Sequence, residues 1–186
     1  MNIFEKIVLF DFDYKVYWKK RDVKIRQRLL EREKIFFDWI KPKTKVLDIA
    51  AGNSGLLSSL KKDKACDVRA FDISQEVVDA QNQSGVVAEK RDLSLNNFNI
   101  ADTYDALILS EILEHLPLPE SLMKKISSKS KFFLVSIPNS AFYKFRLQLL
   151  LGRFLKQWIF HPSEHLRFWS HCDFLDWVDS MGFDVV

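Results

Sequence analysis

"VLDIAAGNSG" (residues 46–55) is a short hydrophobic run, interrupted by one acid, that collapses into small residues. The stretch "KVLDI" (45–49) has the length and apolar content of a buried strand, and the polar-punctuated "GLLSSLKKDK" (55–64) reads as a helix. The turn between them is built from Ala, Gly, Asn and Ser, which let a backbone bend sharply and a ligand approach it closely. Such a turn is either an ordinary strand–helix connection or a cradle for a nucleotide. The rest of the chain decides between them.

The same alternation recurs downstream. "CDVRAFDI" (66–73) reads as a second strand, "SQEVVDAQNQS" (74–84) as a helix capped by Ser74, and "GVVAEKRDL" (85–93) as a third strand. "YDALILS" (104–110) is a fourth, followed by a helical "EILEHL" (111–116), and "KFFLVSI" (131–137) is a fifth. "MGFDVV" (181–186) reads as the start of a sixth, so the C-terminal strands are expected to be abbreviated. Apolar strands separated by helical stretches predict an α/β fold of the Rossmann-like, doubly wound kind, its mainly parallel sheet covered by helices on both faces. Pro42 marks the boundary between an N-terminal helical segment, 1–41, and the first strand. There is no internal repeat and no low-complexity linker, so 1–186 is read as a single domain, long enough for a full core.

Composition removes several classes. At 47% hydrophobic and 13% aromatic the chain is not disordered, and no apolar run approaches the roughly 20 residues of a membrane span. "MNIFEKIVLFDFDYK" carries acids through its apolar stretch and lacks a small-residue cleavage site, which argues against a signal peptide. Cys66 and Cys172 are lone and far apart, as in two reduced thiols, and the expected location is cytoplasmic. The net charge of +3 hides nine bases against three acids between Lys15 and Lys34. Ile25, Leu29, Ile35, Phe36 and Ile40 are expected to form an apolar stripe there, leaving the bases on a solvated helix face. Nucleic acid is not expected as a partner.

In an open α/β sheet, ligands bind beyond the carboxyl ends of the strands. Those ends carry Asp48, Asp72, Asp92 and the pair Ser110–Glu111, with Ser136 to Asn139 after the fifth strand. Carboxylates are poor partners for a pyrophosphate but suit ribose hydroxyls and an exocyclic amine. They point to a nucleoside-bearing cofactor of cationic or neutral character. A dehydrogenase reading fails on the missing G-x-G-x-x-G.

On these residues the chain resembles the class I S-adenosylmethionine-dependent methyltransferases, over about residues 14–186, and within them the type 11/12 and MetW-like members. "VLDIAAGNSG" is similar to the family's first motif, which implies that Asp48 meets the methionyl amino group and that Ala50, Ala51, Gly52 and Asn53 run close to the cofactor. "FDIS" implies that Asp72, with Ile73 beside it, holds the ribose hydroxyls. "RDL" places Asp92 and Leu93 at the adenine, and "YDALILSEILEHL" places Ser110 at the fourth strand's end. The implied cofactor is S-adenosylmethionine, with S-adenosylhomocysteine as product. The turn departs from D-x-G-x-G-x-G: Ala50 and Ser54 stand at two glycine positions.

Glu111 and His115 are the expected bases for a hydroxyl acceptor. The E-x-x-E-H spacing also resembles a metal motif of ubiquinone-type and small-RNA O-methyltransferases, which implies a divalent metal on Glu111, Glu114 and His115, with His165 as a further ligand. "IPNSAFYKFRLQLLLGRF" (137–154) is similar to the corresponding segment of MetW-type proteins, and residues 139–170 are read as an acceptor-covering insertion. Within it Phe142, Phe145, Leu149, Leu150, Phe154, Trp158 and Ile159 make an apolar face flanked by Lys144, Arg146, Arg153 and Lys156. That face suits a core or dimer helix, a lid, or a peripheral membrane contact. Asn139, Arg146 and His165 are the expected acceptor contacts. Two functional readings stay open: methyl transfer to a small-molecule acceptor, O- or C-linked, and a non-catalytic MetW-like subunit that supports a partner enzyme.

Overall fold

The two most buried strands, β1 (Lys45–Ile49) and β4 (Tyr104–Ser110), lie side by side because both are apolar on both faces. β2 (Asp67–Asp72) pairs with β1 on its other side, β3 (Val87–Lys90) flanks β2, and β5 (Ser130–Ser136) flanks β4. All four pairings are parallel, in the order β3-β2-β1-β4-β5. The computed structural model describes Trp18 and residues 23–157 and 164–186.

Helices cover both faces, as the alternation predicts. One face packs Val46, Val68 and Ile108 against Phe36 of α1 (Glu31–Trp39) and Leu56, Leu57 and Leu60 of α2 (Leu56–Lys64). The other packs Leu47, Leu107 and Leu109 against Leu122, Met123 and Ile126 of α4 (Pro119–Ile126), with Phe174 and Trp177 of α6 (His171–Ser180). Each fully buried Leu or Ile in these layers contributes about 1.5–3 kcal/mol by removal from water. Between β2 and β3, α3 (Gln75–Gln83) is capped as expected, Ser74 Oγ accepting the Val77 N–H at 3.4 Å.

Three expectations are corrected. Among the described residues of 1–41, Trp18 and α1 are helical while residues 23–30 between them are not, and Ile35 is 46% exposed while Phe36 and Ile40 are buried. The helix starts late because Glu33 turns back to accept the Leu30 N–H at 2.7 Å and to pair with Arg26. "EILEHL" is not an α-helix: Glu111 has φ +53°, and only a 3-10 turn forms over Leu113–His115. "MGFDVV" adds no strand; Phe183 instead packs its ring on Phe133 of β5, with centroids 5.4 Å apart.

The insertion after β5 carries α5 (Tyr143–Leu150), which buries none of its residues. Leu150 is 84% exposed and Phe154 60% exposed. Trp158 and Ile159 lie outside the described residues.

Candidate functional site

β1 ends at a carboxylate with nowhere to go. Asp48 is buried, and its Oδ1 has no hydrogen-bond partner. Burial, reinforced by the charges of Glu33 and Asp72, pushes its carboxyl up to about 8. The backbone that follows is left-handed at Ala50 (φ +66°) and again at Gly52 (φ +55°). The Ala50 and Ala51 N–H groups both donate to Phe71 O, at 2.8 and 3.2 Å, which ties the turn to β2. Asp72 accepts the Gly52 N–H at 3.0 Å and the Ser74 N–H at 2.9 Å; burial raises its carboxyl and these donors pull it back.

Residues that sequence reasoning missed hold this turn in shape. Gln81 of α3, wholly buried, donates through Nε2 to Gly52 O at 2.9 Å and Ser54 O at 3.1 Å. Ser54, standing where the family pattern has glycine, accepts the Leu56 N–H at 3.1 Å and so helps start α2. Gly55 is required sterically, since a Cβ there would sit 2.1 Å from Arg26 O. Arg26 crosses the turn, its N–H donating to Asn53 O at 3.0 Å. The Trp18 ring lies 3.6 Å from where a Cβ on Gly52 would stand. A lone polar residue on the inner face of a helix was the one available signal for Gln81. Nothing local announced the Arg26 crossing.

The other strand ends are less uniform than their acids suggest. Asp92 braces its own turn through Oδ1, which accepts the Ser94 N–H at 2.9 Å and hydroxyl at 2.6 Å. Leu93 packs partly into the core, and Ile73 is 38% exposed. Ser110 Oγ accepts from Arg32 Nε at 3.2 Å and lies 3.0 Å from Ser136 Oγ.

Beside Asn53 opens a cavity of about 680 Å³. Its wall includes Arg26, Arg32, Glu111, Glu114, His115, Asn139, Phe142, Phe145 and His165, so α1, the end of β4 and the insertion all contribute. Arg146 does not line it; its Nε donates to Ala141 O at 2.7 Å. Asn139 lines the cavity while its Oδ1 accepts the Ala141 N–H at 3.0 Å. Asp48 and Asp72 lie outside the lining.

On one wall the structure gathers Glu114, His115 and His165, with one ligand atom of each within 4.8 Å of the others. Glu114 is 1% exposed and neither carboxylate oxygen has a hydrogen-bond partner. His115 Nδ1 donates to the Glu164 carbonyl, which leaves Nε2 as a lone pair 3.9 Å from Glu114 Oε1. The His165 ring stands edge-to-face on His115, centroids 4.7 Å apart, its Nδ1 buried without a partner. Burial pushes the Glu114 carboxyl up to about 8 and the His165 imidazole down to about 4. Glu111, expected in this group, is not one of the three, although it lines the same cavity; its backbone is left-handed and its N–H donates to Ser136 O at 2.9 Å.

Solved structures share this architecture at low identity. The magnesium protoporphyrin IX methyltransferase ChlM of Synechocystis PCC 6803, with bound S-adenosylhomocysteine, has a TM-score of 0.67 at 16% identity, covering 94% of this chain and 87% of that one. The putative methyltransferase complexed with the Trm112 activator of Haloferax volcanii scores 0.63 at 17%, covering 82% and 68%. The [4+2]-cyclase SpnF scores 0.60 at 14%, covering 83% of this chain and 56% of that one. No curated protein sequence matches the chain. The likenesses place the parallel sheet and its flanking helices in the class I methyltransferase fold. The family's sequence pattern, described as methionine biosynthesis protein MetW, runs through residues 31–185, from α1 past the cavity to α6, and the chain belongs to the MetW family.

Proposed function

We propose that the chain binds S-adenosylmethionine at its first turn and transfers the cofactor's methyl group to a small-molecule acceptor in the adjoining cavity. The observation that carries this reading is Asp48, a buried carboxylate without a hydrogen-bond partner on Oδ1, beside Asp72 and a left-handed small-residue turn. A carboxylate so placed suits a cationic ligand group such as the methionyl ammonium. Asp72 keeps free lone pairs beyond its two backbone bonds and suits paired ribose hydroxyls. The bound cofactor supplies a strongly electrophilic methyl group, so what the protein must add is chiefly alignment. The S-adenosylhomocysteine held by the neighbouring ChlM supports the choice of cofactor.

The cavity volume falls within the roughly 300–1,000 Å³ usual for small-molecule sites. Arg26 is paired with Glu33, and Arg32 on the same wall favours an acceptor with an anionic or strongly polar group. Glu111, on the cavity wall, is the group that would take the acceptor's proton. His115 is held through Nδ1, which donates to the Glu164 carbonyl.

A second reading, a non-catalytic subunit supporting a partner enzyme, draws on Trp18 packing over Gly52 and on Ala50 in a glycine position. A fold shared with a [4+2]-cyclase does not by itself decide the chemistry. The test is S-adenosylhomocysteine formation, followed by mass spectrometry with a small-metabolite pool as acceptor. Methyl transfer predicts product well above the blank and at least a tenfold loss in Asp48→Asn. Tight cofactor binding with no product, together with a copurifying enzyme, would put the subunit reading first.

A further inference from the structure

We propose that the solvent-facing side of α5 docks the protein on an anionic lipid surface. Tyr143, Leu147 and Leu150 fall at i, i+4 and i+7, and Leu151 follows at i+8, so the four share one face of the helix. Each is between 56% and 84% exposed, which makes a contiguous apolar patch rather than scattered surface leucines. The opposite side faces the protein. Phe145 lines the cavity, and Gln148 is half-buried, its Oε1 accepting the Lys156 N–H at 3.4 Å. One side of α5 thus serves the fold and the other is turned to solvent. The chain then bends at Gly152 (φ +73°), and Phe154 adds a further exposed ring before Leu155 returns to the interior.

Charge selects the occupant. From 137 to 163 the sequence has no Asp or Glu, and its Lys and Arg residues there are Lys144, Arg146, Arg153 and Lys156, all four exposed. Lys144 and Arg146 stand one on each flank of the apolar stripe, since successive helical residues turn by about 100°. Basic side chains so placed rest their stems on apolar surface and reach outward to phosphate. A second copy of the chain fits less well, because a two-fold contact would set these four bases against the same four with no acid of the segment between them. A bilayer also needs no matching groove: the leucines of a protruding helix enter the acyl boundary while its bases meet the headgroups. Because Phe145 is on the cavity wall, docking brings the cavity up to the lipid surface. The inference does not depend on methyl transfer.

The experiment is flotation of the full chain with vesicles of phosphatidylcholine containing phosphatidylglycerol, beside vesicles of phosphatidylcholine alone. Binding to the anionic vesicles is expected, falling about tenfold when the anionic lipid is left out or the salt is raised. Leu147→Gln with Leu150→Gln should also weaken it about tenfold at unchanged net charge, because burial of the leucines holds the helix in the interface. Lys144→Gln with Arg153→Gln should weaken binding to the anionic vesicles. Both double variants are expected to keep the wild-type thermal midpoint, which separates lost docking from unfolding. No flotation with anionic vesicles, or equal flotation of the leucine variant, would overturn the proposal. A leucine-dependent dimer, or a leucine-dependent complex with an acidic protein, in a chain that leaves the vesicles unbound would overturn it in favour of that occupant. A chain that floats but does not bind S-adenosylmethionine would retain the docking face and lose only the methyl-transfer reading.

Discussion

Ala50 carries a cost that its glycine counterpart would not. A φ of +66° brings Cβ against the following carbonyl, at about 1–2 kcal/mol. Ala50→Gly should therefore raise stability by about 1 kcal/mol, or about 2–4 °C in Tm for a chain of this size, measured by thermal unfolding; a lowered midpoint would show the turn to be unstrained. Asp48 makes a pH prediction. Its folded carboxyl is raised from 3.8 to about 8, so between these values the native state holds a proton that the unfolded chain releases. Its contribution must then decline as pH rises through that window. Stability of Asp48→Asn relative to wild type, from denaturant unfolding at several pH values, should grow up to about pH 8 and then level off; a difference independent of pH would contradict the burial argument. Asp48 and Asp72 were legible because a strand-end acid has a fixed place in this fold. Asp92 shares that signature, with Oδ1 accepting from Ser94. Glu33, hidden in a basic run, became a buried partner of Arg26 through a crossing that no local pattern encodes.

Elements were most readable where burial sets the pattern. β4 matches its expected bounds, Tyr104–Ser110, and β1 its own, because central strands are continuous apolar runs. Edge elements were harder: β3 shrinks to Val87–Lys90, and the acidic "EILEHL" lost its helix to a left-handed Glu111. The start of α2 depends on the Arg26 crossing, which leaves no room at Gly55. Gly55→Ala should cost about 1–3 kcal/mol as overpacking, seen as a lower denaturation midpoint; an unchanged midpoint would show that the crossing yields without penalty. α5 is the opposite case, a helix with no fully buried residue whose leucines are mostly exposed. Leu150→Gln should shift stability by no more than about 0.5 kcal/mol, and a larger loss would mean that the helix is packed against something.

At the scale of the whole molecule, strand order places the first turn where the connections diverge, between β1 and its two neighbours β2 and β4. That is where an open parallel sheet binds ligands, and the chain sets Asp48, Asp72 and Ser110 around it. The fold followed from the alternation of strands, and the proposed cofactor contacts rest on the acids ending them. The cavity did not, because its wall is assembled from α1, the 3-10 turn and the insertion, which meet only in three dimensions. Trp18 over Gly52 adds a cover to the same turn. The most direct test is a calorimetric titration of the purified chain with S-adenosylmethionine, beside Asp72→Ala. Micromolar binding, about −8 kcal/mol, that Asp72→Ala abolishes is the predicted result. No heat from the wild-type chain, or equal binding by the variant, would contradict a cofactor site at this turn.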